Sequence, residues 1–498
     1  MKNRPQYVVS FIIAETNNVL NTFRRILPRI MITFIFFFCL LCVFYSLIFL
    51  NPSFKSTQKP LGIFIRFNEE NQSNTIQTTP EKTQLHHIVF GIGSSRTTWN
   101  YRKEYVKLWW KPNKMRGFVW LDKPAMSKNN QSTSIYNVTS LPEIKISSNT
   151  SRFKYTNQKG DRSGIRISRI ISETVRMDLK NVRWFVMGDD DTFFVPENLV
   201  RVLRKYDHNQ YYYIGSVSET HWQNHEFSYN MAYGGGGFAI SYPLAKALEK
   251  IQDKCIEKYP HLYGSDDRIQ ACLAELGVPL TKEVGFHQFD LHGSVMGFLS
   301  AHPVAPLVSL HHLDKVQPIF PKLSRVEALR RLNKPIKLDS AGLMQQSICY
   351  DRSRGWTVSV SWGYSVQINR GILPAREMEK PITTFNDWYA TGDENSFTFN
   401  TRPYHKNACQ RPFFYLLSNA YVTTNRTTSD YVYDGARGSK CKWRMADPSN
   451  VRHVEVYKKP DPNLWDKSPR RNCCRVLPTS KNDTLLVDVG ECREGETI

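Results

Sequence analysis

The chain has 498 residues, 41% hydrophobic and 22% charged; that is enough to bury a full core and more than one domain, and it excludes a mainly disordered protein. Its net charge of +21 favours anionic partners, from nucleotide sugars to acidic polysaccharide, anionic lipid or nucleic acid, without choosing among them.

Residues 1–29 read as a cytosolic tail carrying five basic residues against one acid. Residues 30–50 (IMITFIFFFCLLCVFYSLIFL) then run 21 residues without a charge. At about 1.5 Å per residue this segment reaches roughly 30 Å, the thickness of bilayer hydrocarbon. It is too long and too bulky for a cleaved signal peptide. Arg24, Arg25 and Arg29 precede it, whereas only Lys55 and Lys59 follow closely. The positive-inside rule therefore predicts a single-pass type II anchor, with the large C-terminal part in a lumen. Such an anchor suits retention in a Golgi membrane. The eight cysteines beyond the anchor fit disulfides in an oxidising compartment, with their connectivity left open. Glycosylation sequons at Asn71, Asn130, Asn137, Asn149, Asn425 and Asn482 lend mild support.

Residues 51–84 are polar and aperiodic, a stem linker. Residues 85–340 read as one catalytic domain. The spacing predicts a buried strand over 88–92, a helix over 99–110, a second strand over 117–121 and an exposed loop over 123–160. A helix over 165–179 and a buried strand over 184–187 follow, and Asp189-Asp190-Asp191 sit at the C-terminal end of that strand. Strands alternating with helices imply an α/β fold, a mainly parallel sheet with helices on both faces, which binds ligands beyond the carboxyl ends of its strands. Past residue 340 the texture changes. Residues 356–368 alternate like one half-exposed strand, and 341–498 is expected to be a β-rich, cysteine-bearing region or second domain.

Three adjacent aspartates repel one another, and a divalent cation removes that cost. Hard oxygen ligands select Mg²⁺ or Mn²⁺, which also bind diphosphate oxygens. The plainer alternative is an acidic turn capping the helix that starts at Pro196-Glu197-Asn198. The glycine run Gly234–Gly237 allows close approach to a ligand but lacks the phosphate-loop spacing. It could be a flexible linker, yet the flanking Tyr233, Phe238 and Ile240 favour a packed turn lining a site. In Gly264-Ser265-Asp266-Asp267 one carboxylate could take a proton from a hydroxyl nucleophile while the other caps a helix. The run from Val308 to Asp314 carries His311 and His312; a neutral imidazole accepts a divalent cation well, although paired histidines are more often structural.

In this order the four pieces resemble the fringe-like β-1,3-glycosyltransferases over residues 87–320. The VSLHHLD run is similar to a histidine segment of animal mucin-type β-1,3-galactosyltransferases, and the whole lumenal chain looks like a plant family of uncharacterised fringe-related proteins. The resemblance implies a GT-A, Rossmann-like sheet that binds a UDP-sugar with Mn²⁺ (or Mg²⁺) and inverts the anomeric carbon. Asp189, Asp190 and Asp191 match the metal and nucleotide triplet, with Asp191 the foremost direct ligand. His311 matches the late metal histidine, and its neighbour His312 leaves that choice open. Asp266 and Asp267 match the position of the catalytic base, with Asp267 favoured. Gly235, Gly236 and Gly237 match the turn beside donor and acceptor. A glycan or glycoconjugate acceptor follows, nucleic acid does not, and a homodimer is compatible. Two rivals are a lectin-like or chaperone-like relative without catalysis and a metal-dependent hydrolase or nuclease. The intact triplet, carboxylate pair and histidine count against the first, and a lumenal location counts against the second.

Overall fold

A computed structural model describes residues 31–44, 81–124, 140–435 and 441–498. The cytosolic tail, most of the stem linker and the sequons at Asn71, Asn130 and Asn137 lie outside the described residues. By its contacts the chain divides into two units, Met1–Thr79 and Pro80–Ile498. In the first, residues 31–44 are helical and their large apolar side chains are exposed. No helix among the described residues is long and apolar enough to cross a membrane. This helix is described only to residue 44, and residues 30 and 45–50 of the expected span lie outside the described residues.

In the second unit the main sheet uses β1 (Ile88–Gly93), β2 (Arg116–Leu121), β3 (Glu143–Ile146) and β4 (Trp184–Asp189). After the two-residue β5 (Phe193–Phe194) come β6 (Tyr213–Gly215), β7 (Phe238–Ser241) and β8 (Leu280–Lys282). The sheet order is β3-β2-β1-β4-β7-β6-β8. The first four strands are parallel, β6 and β8 are parallel, and β7 lies antiparallel between β4 and β6, so the sheet is mixed. Alternation along each strand decides which face a side chain serves. Ile88, Phe90, Trp184 and Val186 join one cluster with the Trp99–Trp109 helix. Val89, Phe185 and Met187 join another with the Ile170–Val175 and Tyr242–Lys258 helices. Helices therefore cover both faces.

Two short sheets aim the later motifs. β11 (Ser309–Leu310) pairs antiparallel with β5 and parallel with β9 (Phe286–His287), which delivers the residues after Leu310 to the end of β4. β10 (Leu291–Gly293) pairs antiparallel with β15 (Phe385–Asp387), drawing a segment of the C-terminal region to the same end of the molecule.

The expected helix over 165–179 is instead two, Ser163–Ser168 and Ile170–Val175, because the backbone tightens at Arg169 (φ −82°, ψ −8°). The single half-exposed strand expected over 356–368 is a buried hairpin of β13 (Trp356–Ser361) and β14 (Ser365–Arg370). Gly363, at φ +77°, makes the reversal that alternation alone does not reveal. Both strands belong to an eight-stranded sheet, which also contains β12 (Gln346–Asp351), β16 (Phe413–Thr423), β17 (Arg426–Tyr433), β18 (His453–Lys458), β19 (Cys473–Leu477) and β20 (Thr484–Gly490). Val358, Val366 and Leu485 of that sheet lie in one hydrophobic cluster with Phe90 and Trp109. A helix over Arg325–Asp339 was missed from sequence, although its capping box, Ser324 with Glu327, was available as a start signal. The eight cysteines pair as Cys255–Cys272, Cys349–Cys474, Cys409–Cys441 and Cys473–Cys492.

Candidate active site

The triplet leaves β4 as a tight turn. Thr192 closes it: its hydroxyl accepts from the Asp189 N–H (2.8 Å) and donates to the Gly235 carbonyl (2.7 Å). The three carboxylates then diverge. Asp190 turns toward the β1 loop, where it accepts from Ser94 Oγ (2.7 Å), Thr98 Oγ1 (2.7 Å) and Arg102 Nη1 (3.0 Å). It fixes the turn rather than facing a ligand. Arg102 also reaches Asp191 Oδ2 (3.3 Å) and Asp314 (3.1 Å).

Asp189 and Asp191 converge on His311. Its Nε2 lies 3.6 Å from Asp189 Oδ2 and 3.2 Å from Asp191 Oδ1, and the three ligand atoms all fall within 4.8 Å of one another. Asp191 Oδ1 is buried and has no hydrogen-bond partner among the described residues. His311 Nδ1 lies 3.3 Å from the Gln288 carbonyl, which only accepts; that nitrogen therefore carries a proton, and Nε2 is the nitrogen that faces the carboxylates and can bind a cation once it is deprotonated. An orphaned buried carboxylate oxygen, a second carboxylate and a free imidazole nitrogen form a donor set that fits a divalent cation. His312 adopts φ +49° and turns away, with Nδ1 3.1 Å from Asp290 Oδ1 and its ring stacked on Trp388.

Burial raises Asp189 well above the usual carboxylate range, and the charges of Asp191, Asp266 and Asp190 push it further. Burial works against an ionised Asp191 too, but His311 and Arg102 outweigh it and hold this carboxyl well below that range. His311 is raised because Asp191 outweighs its desolvation. The crowding is the kind that a bound cation relieves.

The glycine run is a packed turn wedged between the histidine and the carboxylate pair. A Cβ on Gly235 would sit 2.0 Å from His311 Cε1, and one on Gly234 would sit 2.4 Å from Asp266 Oδ1. Gly236 N–H donates to Gln288 Oε1 (2.7 Å), and Gly237 closes the turn at φ +85°. Gly235→Ala is therefore expected to displace His311, lowering any divalent-cation affinity of the cluster about 10–100-fold and stability by about 1–3 kcal/mol. Mn²⁺ titration and thermal melting check both; wild-type affinity would mean that His311 is not a ligand.

Asp266 and Asp267 open the Asp266–Glu275 helix. Asp266 accepts from the Gly234 N–H (2.9 Å) and Ser265 Oγ (2.8 Å), and it shares a small cleft with Asp189 and Gly234. Asp267 has both oxygens engaged by its own loop, through the N–H groups of Tyr263 (2.5 Å) and Gly264 (2.9 Å). Burial raises both carboxyls. Of the residues expected from sequence, Asp189, Asp191, His311, Asp266 and Gly234–Gly237 come together. Asp190 and His312 face elsewhere. Arg102 and Gln288 were missed, and no local signal marks either.

The Fringe-like family matches residues 83–314, and the family described as protein of unknown function, DUF604, matches residues 223–474. No curated protein sequence matches the chain. Among solved structures, an active-site mutant of LgtC overlaps 49% of this chain and 93% of its own, at 12% identity and a TM-score of 0.31. The chain belongs to the family described as protein of unknown function, DUF604, and its match to the Fringe-like family, which overlaps that one over residues 223–314, makes it a glycosyltransferase.

Proposed function

We propose that this glycosyltransferase moves a sugar from a UDP-sugar to a hydroxyl of a glycan or glycoconjugate, with inversion, on a GT-A-type sheet and with Mn²⁺ or Mg²⁺. The observation that carries the reading is the buried, unpartnered Asp191 Oδ1 facing His311 Nε2 and Asp189 Oδ2. Asp189, Asp191 and His311 would hold the ion, which when bound neutralises charge on a departing diphosphate. Arg102, Ser94 and Thr98 hold Asp190 and so keep the turn aimed. Asp266 serves as base: it faces the cluster, is oriented by the Gly234 N–H and Ser265, and is raised by burial toward the pH at which it can take up a proton. Asp267, favoured from sequence, clamps the loop that carries Asp266. The charge-free stretch 30–50 and its flanking arginines support a type II anchor in the Golgi membrane with the site in the lumen; the four disulfides suit that compartment. The family resemblance supports a β-1,3 linkage.

The full-length chain, assayed for UDP released from a panel of UDP-sugars, should turn over at least one of them and stop when the metal is chelated. If no donor is consumed while UDP with Mn²⁺ still raises the melting temperature, the sugar-binding alternative replaces this reading.

A further inference from the structure

Beside Asp266 lies an open cleft of about 600 Å³ that the proposed transfer leaves without an occupant on its far side. One wall comes from loops between the strands of the main sheet: Phe227 and Tyr263, edge to face at 5.4 Å, with Tyr233 between the cleft and the glycine turn. The opposite wall comes from the C-terminal region. Pairing of β10 with β15 ends at Asp387, which is buried and ties down the next turn by accepting from the N–H groups of Tyr389 and Thr391, both at 2.9 Å. Trp388 is held by stacking at 5.0 Å against both His292 and His312, and the Tyr389 ring beside it is 57% exposed.

Two features point to a ligand. The Tyr233 side chain is only 6% exposed, and its hydroxyl has no hydrogen-bond partner among the described residues. A buried O–H without a partner costs about 1–3 kcal/mol, so its retention at a cleft wall argues for a partner that arrives with a ligand. The charge balance is the other feature. Glu226, Asp266, Asp267 and Asp290 line the cleft against Lys159 alone among lysines and arginines, in a chain whose net charge is +21. A uronate or sulfate would be repelled here, whereas the C–H face of an uncharged pyranose packs on aromatic rings while its hydroxyls meet isolated polar groups.

We propose that this cleft is the acceptor subsite, that it takes an uncharged pyranose of a neutral glycan, and that Tyr389 from the C-terminal region and the Tyr233 hydroxyl select it. This rests on the transferase reading. The role of residues 341–498 is then to complete the acceptor site by supplying its outer wall.

The test is retention of the full-length chain, with UDP and Mn²⁺, on an array of neutral and uronate-bearing oligosaccharides. Wild type should retain neutral members, and Tyr389→Ala and Tyr233→Phe should each weaken that retention about tenfold. Tyr233→Phe should melt no lower than wild type, because it removes an unpartnered group; lost binding without lost stability is what a purely structural tyrosine would not give. Retention of uronate-bearing glycans only, of no glycan, or retention by both variants equal to that of wild type overturns the proposal. Calorimetry of UDP with Mn²⁺ on the wild type separates the two readings. If that binding is absent while neutral glycans are still held through Tyr389, the transferase reading falls and with it the acceptor role, and only a neutral-glycan site stands.

Discussion

Asp191→Asn is expected to lower sugar transfer about 10³-fold with little loss of stability, the scale set by removing charge stabilisation from a leaving group in a water-poor site. The substitution keeps side-chain volume but removes the carboxylate whose Oδ1 has no other partner among the described residues. It strands no cation, because Arg102 still pairs with Asp190 and Asp314. His311 loses the charge that raises it and should titrate lower. The fold should tolerate the change, since the buried one of two carboxylates facing the same histidine is gone. The deciding measurement is the Mn²⁺ dependence of UDP release: a variant with the wild-type metal midpoint and turnover would refute the ligand assignment. Asp190→Asn offers a contrast. Its carboxylate faces Ser94, Thr98 and Arg102, so its effect should come through the aim of the turn and leave the metal midpoint closer to wild type.

How much of this was legible in the sequence depends on the range over which each residue acts. The end of β4 was readable because a short apolar run followed by three acids is a local pattern, and the strand does end at Asp189. The glycine run was readable as a turn lining a site, but not the reason for it: His311 and Asp266 approach from segments far along the chain. The choice between His311 and His312 stayed open because both follow the same two-residue strand. The positive φ at His312 and the Gln288 carbonyl under His311 decide which ring faces the acids, and both belong to tertiary structure. Arg102 lies on a helix whose sequence carries no sign of the Asp190–Asp191–Asp314 cluster that it joins. The alternation over 356–368 gave the right strand period and the wrong topology, since period-two patterning is the same on both arms of a hairpin. The part that Trp388 and Tyr389 play beside the site was invisible because it depends on one short pairing, β10 with β15.

Behind the site, Glu219 is expected to make stability fall as pH rises, and Glu219→Gln should abolish that dependence. Four groups settle its protonation. His302 Nδ1 lies 2.8 Å from the Pro303 carbonyl, so it donates there and leaves Nε2 as an acceptor. His287 Nε2, 2.9 Å away, must then carry a proton and donate to it, which leaves His287 Nδ1 as an acceptor in turn. The atom 3.1 Å from that nitrogen is Glu219 Oε1, which can satisfy it only as a carboxylic acid, while Oε2 accepts from the Phe289 N–H at 2.8 Å. Electrostatics agree: burial first, then the charge of Asp290, pushes Glu219 up to about 8, and burial lowers both histidines and keeps them neutral. The sign follows from the proton count. Below about pH 4.3 the folded and unfolded chains both hold this proton, and its contribution is complete. As pH rises the unfolded chain releases the proton while the folded chain keeps it, costing about 1.4 kcal/mol per pH unit until ionisation in the fold near pH 8 ends the loss. A glutamine preserves the chain of bonds, its amide N–H donating to His287 and its carbonyl accepting from Phe289, but has no proton to lose. Urea midpoints of wild type and Glu219→Gln should therefore diverge between pH 5 and pH 8, with the variant the more stable at the upper end. The other carboxylates raised in the fold, Asp189 and Asp266 among them, titrate in both proteins and cancel in the difference. Parallel profiles would mean that Glu219 is ionised in the fold, and the proton order along His287 and His302 would have to be reversed.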